Sequence, residues 1–296
     1  MNDLSPNPRI GYQGVPGAYS EEALLAFSPT AERVSHRTLV DLFAALAAGE
    51  IDRAFVPIEN SHAGSVVEAY DHLLDNDVTV EAEWLHPVNH CLLAVEGATP
   101  ADIERVFSHP QALAQTRKYL SEAQLTAEPY YDTAGAAEMV AERRDPRLAA
   151  VAGRLAGERY GLTILADGIQ TAADNATRFF LLARGTWKPS SESAPESDRQ
   201  NTGRTTLIFS VEHRPGALVR ALSCFSHRQV SLDRLESRPS RRSPWEYMFF
   251  TDVQGYADEP RVAAALRELT RLNPMVRVLG SYPAAERLDL VSPNGR

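Results

Sequence analysis

At 296 residues the chain is long enough for two or three compact units, and its composition is that of an ordinary folded protein. Thirty basic against 39 acidic residues leave a net charge of −9, which argues against general binding to nucleic acid or to an anionic membrane. No stretch approaches the roughly 20 apolar residues that span a bilayer, residues 1–8 lack the features of an export leader, and the two cysteines lie far apart, so a reducing cytoplasm is expected.

The first 185 residues alternate strand and helix signals. Arg9 to Gln13 reads as a strand, and Ser20 to Phe27 as a helix with Ser20 as its N-cap. Thr38 to Ala48 carries Leu39, Leu42, Phe43 and Leu46 at helical spacing. Arg53 to Ile58 is a strand, and Ser65-Val66-Val67-Glu68 matches a capping box opening the next helix. Strands are expected at Val78 to Trp84, His90 to Val95, Arg105 to Ser108, Leu148 to Ala152 and Leu162 to Ala166. Helices are expected at Pro110 to Leu120, Ala134 to Glu142 and Arg154 to Tyr160. The pattern predicts a largely parallel sheet with helices on both faces, in two lobes. The chain crosses out near residue 85 and returns near 170 in the strand that holds Thr177.

Residues 186–203, rich in Ser, Pro, Gly and charge, read as a linker. The charge divides there, −13 before Arg204 and +4 from it onward. Strands at Thr205 to Glu212, Val230 to Glu236, Trp245 to Val253 and Met275 to Tyr282 flank helices at Gly216 to His227 and Pro260 to Leu272. The order βαββαβ predicts a ferredoxin-like domain over 204–283, with a sheet face or edge open to a second copy and a tail over 284–296.

Chemistry-bearing groups cluster at strand-to-helix junctions, where open α/β sheets bind ligands. Gly14 to Ser20 follows the first strand, and Ser20 stands among N–H groups that suit an anion. Glu59, Asn60, Ser61, His62, Ala63, Gly64 and Ser65 follow another, and His109-Pro110-Gln111 a third. Asn175-Ala176-Thr177-Arg178-Phe179-Phe180 sets an amide, a hydroxyl and a guanidinium ahead of an apolar strand, and such groups suit carboxylates. No metal spacing occurs, and Gly14-Val15-Pro16-Gly17 lacks the rest of a nucleotide-binding signature, so no metal and no cofactor are expected.

Five short motifs in register resemble those of bacterial prephenate dehydratases: GYQGVPGAYSEEA, VPIENSHAGSV, SHPQAL, NATRFFLL, and Arg214 to Leu218 with Glu236 to Pro239. The resemblance covers residues 8–283. It implies a periplasmic-binding-protein-like (type 2) two-lobed catalytic domain over 8–185 and a C-terminal ACT regulatory domain. It further implies decarboxylating dehydration of prephenate to phenylpyruvate, feedback inhibition by L-phenylalanine, and a homodimer or homotetramer. Thr177 is then the key hydroxyl, with Asn60, Gln111 and Glu59 as catalytic partners. Arg178, Ser20, Ser61, Gly64, Ser65, Asn175 and Phe179 would bind substrate. Pro215, Gly216, Ala217, Leu218, Ser231, Leu232, Glu236, Ser237 and Arg238 would bind the effector. Relatives usually carry Asn where Ser231 stands, and an acidic or amide residue at His213, which leaves the effector open. Two rivals stay in view: an arogenate dehydratase using the same site, and a non-catalytic amino-acid sensor, for which Thr177-Arg178-Phe179 has no evident use.

Overall fold

The computed structural model describes residues 7–189, 203–240 and 247–285. Most of the expected linker and tail, and residues 245–246 of one expected strand, lie outside the described residues. The described chain divides into two compact units, 7–66 with Trp84–Phe179 and Val67–Glu83 with everything from Phe180 onward.

In the first unit, β1 (Arg9–Gln13) pairs in parallel with β2 (Glu32–His36) and β3 (Arg53–Asn60). Helices α1 (Tyr19–Phe27) and α2 (Leu39–Ala48) connect them. Thr38 caps α2 by accepting the Asp41 N–H, whereas α1 begins one residue before Ser20, with Ala18 at the cap and no side-chain cap bond. Ser20 is therefore inside the first turn rather than capping it. The two-residue β4 (Gly64–Ser65) folds back on β3 and places Ser65 opposite Glu59, and α3 (Val67–Asp75) starts two residues later. The sheet runs β2-β1-β3-β11-β5, with β5 at Val78–Pro87 and β11 at Ala176–Arg184. Phe179 stacks on Phe55 at 4.8 Å and Phe27 on Phe55 at 5.5 Å, which fixes β11 beside β3.

The second lobe holds β6 (Cys91–Ala94), β7 (Arg105–Ser108), α4 (Pro110–Gln115), α5 (Arg117–Glu122), β8 (Thr126–Pro129), α6 (Thr133–Arg143), β9 (Leu148–Ala152), α7 (Arg154–Tyr160) and β10 (Thr163–Ala166). Its order is β10-β6-β9-β7-β8. Strands β7, β8 and β9, joined through helices, are parallel, while β6 runs antiparallel to β9 and β10. The sheet is thus mixed, because β6, which carries the chain in from the crossover, runs against the other four strands. Leu93, Ala150 and Ala152 face one core, and Leu92, Ala149 and Val151 face the other. Burial on both faces explains the unbroken apolar run of β9. The helix expected over 110–120 is broken at Thr116, whose hydroxyl donates to Ala112 O.

In the second unit, β12 (Gly203–Ser210), α8 (Ala217–Ser226), β13 (Leu232–Pro239), β14 (Tyr247–Gln254), α9 (Pro260–Leu272) and β15 (Met275–Pro283) form the expected βαββαβ unit in the antiparallel order β13-β14-β12-β15. Leu207, Phe209, Phe225, Val262 and Leu269 form its core on the helix side. The opposite face, expected to be bare, is covered by α3 and the start of β5. Tyr70 meets Phe250 edge-on at 4.9 Å, and Gly280 lies so close to the Val80 carbonyl that a Cβ would not fit.

Arginines tie that covering layer down. Arg204 bonds the fully buried Glu83 carboxylate at 2.5 Å and Asp233 at 2.9 Å. The Ala285 N–H adds a 2.7 Å bond to Glu83. Arg238 reaches Asp71 at 3.2 Å, and the Arg234 guanidinium lies 4.6 Å from the Tyr70 ring centre. Arg277 donates to Leu73 O and Asn76 O, the carbonyls at the C-terminal end of α3.

Candidate active site

Within the first unit the two lobes meet through specific contacts around the ends of β3 and β11. Gly17, at φ +90°, brings its backbone against Ala156, where a Cβ would sit 3.0 Å from the Ala156 Cα. Tyr160 donates to Pro16 O at 2.7 Å. Glu21, only 3% exposed, takes the Gly17 N–H at 2.6 Å and Arg159 at 2.6 Å. The start of α1, read from sequence as an anion seat, thus already holds the protein's own carboxylate.

Thr177 lies at the start of β11, half-buried, and Asn60 ends β3. Asn60 Nδ2 donates to Asn175 Oδ1 at 2.8 Å, Thr177 Oγ at 3.1 Å and Ala176 O at 3.2 Å. Its Oδ1 accepts the His62 and Ala63 N–H groups at 3.1 and 2.9 Å. Ser61 N–H donates to Ala176 O at 2.8 Å, and Ser61 Oγ accepts the Ala176 N–H while donating to Asp174 O. His62 Nε2 lies 2.9 Å from Asp174 Oδ1. The loop after β3 and the segment that leads into β11 are therefore stitched together just ahead of Thr177, and Arg178, next in line, is 8% exposed.

Asn60, Ser61, Asn175 and Thr177 thus come together as the sequence suggested. Glu59 is half-buried beside them, in register with Ser65, while Gly64 is exposed in the β4 turn at φ +78°. Phe179 is a correction: at 1% exposure and stacked on Phe55, it supports the strand from beneath and presents no ring to a ligand. Gln111 is exposed on the first turn of α4, its N–H on His109 Nδ1, and the glutamine that joins the network is Gln115. Gln115 Oε1 accepts Asn175 Nδ2 at 3.1 Å and lies 2.7 Å from His90 Nε2, whose Nδ1 lies 2.6 Å from the Tyr19 hydroxyl. Sequence reasoning missed Gln115, His90 and Tyr19. The available signal was spacing, since Gln115 follows Gln111 by one helical turn.

Burial decides the charge states here. It pushes the His90 imidazole below its usual range, against a smaller opposing effect of Gln115, and raises the Tyr19 phenol, so both are neutral at neutral pH. Burial also lifts the Cys91 thiol to about 12, helped by Asp167, which leaves it unreactive. Asp132 is raised by burial too, against the N–H of Gly135 and the charge of His109. The amides, His90 and Tyr19 thus form a field of neutral donors and acceptors, with Arg178 buried alongside and the Glu59 and Asp174 carboxylates at its edge.

The second unit holds a cavity of about 430 Å³ walled by residues 211–219, Tyr247 and Phe249. Gly216, at φ +78°, turns the chain into α8 with no side-chain cap, so the first turn of α8 opens on this cavity. Pro215, Gly216, Ala217 and Leu218 are in its wall. Ser231, Leu232, Glu236, Ser237 and Arg238 are not. Glu236 and Arg238 project, by strand alternation, to the face covered by α3, where Arg238 is engaged with Asp71 and Glu236 lies 3.8 Å from Arg234. Within one protomer Glu236 cannot take an ammonium bound in the cavity.

Fold and site define the class as a two-lobed α/β enzyme joined to a ferredoxin-like regulatory module. The prephenate dehydratase family model matches residues 10–186 and the ACT domain model matches residues 205–271. The chain belongs to the prephenate dehydratase family, whose members are lyases. It is 40% identical to arogenate dehydratase 5, chloroplastic, of Arabidopsis thaliana, over 96% of this chain and 70% of that one. Among solved structures it is similar to the prephenate dehydratase of Arthrobacter aurescens in complex with L-Phe, at 32% identity and TM-score 0.83, covering 95% of this chain and 91% of that one. It is also similar to GqqA, described as a novel type of quorum quenching acylase, at 37% identity and TM-score 0.85, covering 93% and 97%.

Proposed function

We propose that the chain converts prephenate to phenylpyruvate and that L-phenylalanine, held in the cavity at the start of α8, inhibits it. The carrying observation is the Thr177 hydroxyl, whose oxygen accepts Asn60 Nδ2 and forms no other hydrogen bond among the described residues. Its own hydrogen is thus left to donate to a ligand. In the reaction the bond from ring carbon to carboxylate breaks, its electron pair enters the ring, and the opposite C–OH bond breaks. The departing hydroxide takes one proton and leaves as water, so one prephenate dianion and one proton give phenylpyruvate, carbon dioxide and water. Aromatisation drives the reaction, and the protein must hold a dianion and assist the leaving oxygen. Thr177 supplies the hydrogen bond to that oxygen, and Glu59, near the end of β3, relays the proton. Buried Arg178 supplies positive charge for a substrate carboxylate.

An acylase would need a hydroxyl activated by an adjacent base. Thr177 Oγ is bound to an amide and Ser61 Oγ to backbone groups, which favours the dehydratase reading. Buried Cys91 and Cys224, both free thiols, support a cytoplasmic setting, and a homodimer or homotetramer completes the proposal. The test is a cofactor-free assay with prephenate and with arogenate, each with and without L-phenylalanine. Phenylpyruvate from prephenate, reduced by L-phenylalanine, is expected. A strong preference for arogenate moves the substrate assignment to that acid, and no turnover of either overturns the activity.

A further inference from the structure

A single chain of neutral hydrogen bonds runs from Tyr19 to Thr177, and its direction follows from one end. Asn60 Oδ1 is pinned by two backbone N–H groups, so Asn60 Nδ2 must face Asn175 and Thr177. Asn175 therefore presents Oδ1 to Asn60 and Nδ2 to Gln115. Gln115 can meet that donor only with Oε1, and the same oxygen faces His90 Nε2 at 2.7 Å. His90 Nε2 must then carry the hydrogen, Nδ1 is an acceptor, and the Tyr19 hydroxyl donates to it at 2.6 Å. Turning the Gln115 amide would set its nitrogen against Asn175 Nδ2, two donors face to face, and the opposite His90 tautomer would set Nε2 against Gln115 Oε1, two acceptors face to face.

We infer that His90, as its Nε2–H tautomer, is a positioning residue that holds the Gln115 and Asn175 amides in the order matching Asn60, and so reinforces the arrangement in which Thr177 Oγ is an acceptor on the protein side. The hydroxyl hydrogen is turned toward bound substrate before substrate arrives. His90 suits the role: it is 2% exposed, and its N–H and C=O are tied to Gln170 and Ile169. Tyr19 meets its ring edge-on at 5.5 Å. Asn89 O, 3.1 Å from the Tyr19 hydroxyl, offers that hydroxyl a second acceptor and so permits the opposite tautomer when the chain is rewired.

The inference rests on the dehydratase reading only in its kinetic arm. The first experiment uses nitrogen-15 histidine labelling of the full chain, with His90 assigned by the signal lost in His90→Gln. His90 should give the pattern of a protonated Nε2 and an unprotonated Nδ1. Asn175→Asp should force Gln115 to turn its amide nitrogen toward the carboxylate, and His90 should switch to the Nδ1–H form. A wild-type Nδ1–H tautomer, or no switch in a folded Asn175→Asp protein, overturns the inference whatever the enzyme's activity. In the kinetic arm, His90→Leu should lower kcat about tenfold with KM nearly unchanged, and His90→Gln, which keeps an N–H at that position, should recover most of it. An unchanged kcat in His90→Leu overturns the positioning role. If neither acid is turned over, the function proposal fails while the tautomer result still stands.

Discussion

Around Thr177 the polar groups are chiefly amides, hydroxyls and a neutral imidazole, joined in a chain whose hydrogen bonds run from Tyr19 through His90 and from Asn60 through Asn175 to meet on Gln115 Oε1. Around α3 they are four arginines, Arg204, Arg234, Arg238 and Arg277, set on carboxylates, a ring face and helix-end carbonyls. The difference follows from what each region must do. A neutral chain has direction, so it can aim one proton without repelling a dianion. Arginine has five donors and a fixed charge, so it holds a helix firmly across a wide range of pH. Because α3 begins two residues after Ser65, the helix clamped onto the regulatory sheet is the direct continuation of the loop that carries Asn60 and Ser61.

The largest expected effect tests the neutral side. Thr177→Val should lower kcat about 10²–10³-fold, the scale of a lost transition-state donor, while KM changes little in an assay of phenylpyruvate formation. A loss shared equally with KM would make Thr177 a binding residue. On the charged side, Glu83→Leu leaves Arg204 without its buried partner and should destabilise the second unit by about 3–5 kcal/mol in urea unfolding. Asp71→Asn, which weakens the link from α3 to Arg238, should shift the half-inhibitory phenylalanine concentration about fivefold with basal kcat preserved. An unchanged value would place the coupling elsewhere.

The smallest effect is a pH slope. The folded-state pKa of His90 lies below its unfolded value near 6.5, so its contribution to stability is full above that value and is lost as pH falls through the folded pKa. Chemical denaturation between about pH 7 and 5 should therefore show a shallower loss in His90→Gln than in wild type. Mutation of the arginine clamp should leave that slope alone.

Most of the element order could be read from the chain because strand, turn and helix signals are local. Besides the two-residue β4, the strands that escaped, Glu32–His36 and Thr126–Pro129, each stand at the end of a sheet's order. Edge strands pair on one side only and need no apolar run, so their sequences look like loops. The break at Thr116 escaped for a similar reason, since a hydroxyl bonding back to Ala112 O leaves the apolar spacing intact.

The candidate site was legible where motif and geometry coincide, at Asn60, Asn175 and Thr177. Gln115, His90 and Tyr19 are separated along the chain by 25 and 71 residues, and nothing local links them. Local propensity and pattern determined which segments are strands and helices, and which junctions carry polar groups. Only the packed structure decided that α3 covers the regulatory sheet, that Glu236 faces away from the cavity, and which way each hydrogen bond around Thr177 points. Those outcomes depend on distances between remote side chains and on the strong tendency of buried donors to meet acceptors, and neither is written in sequence spacing.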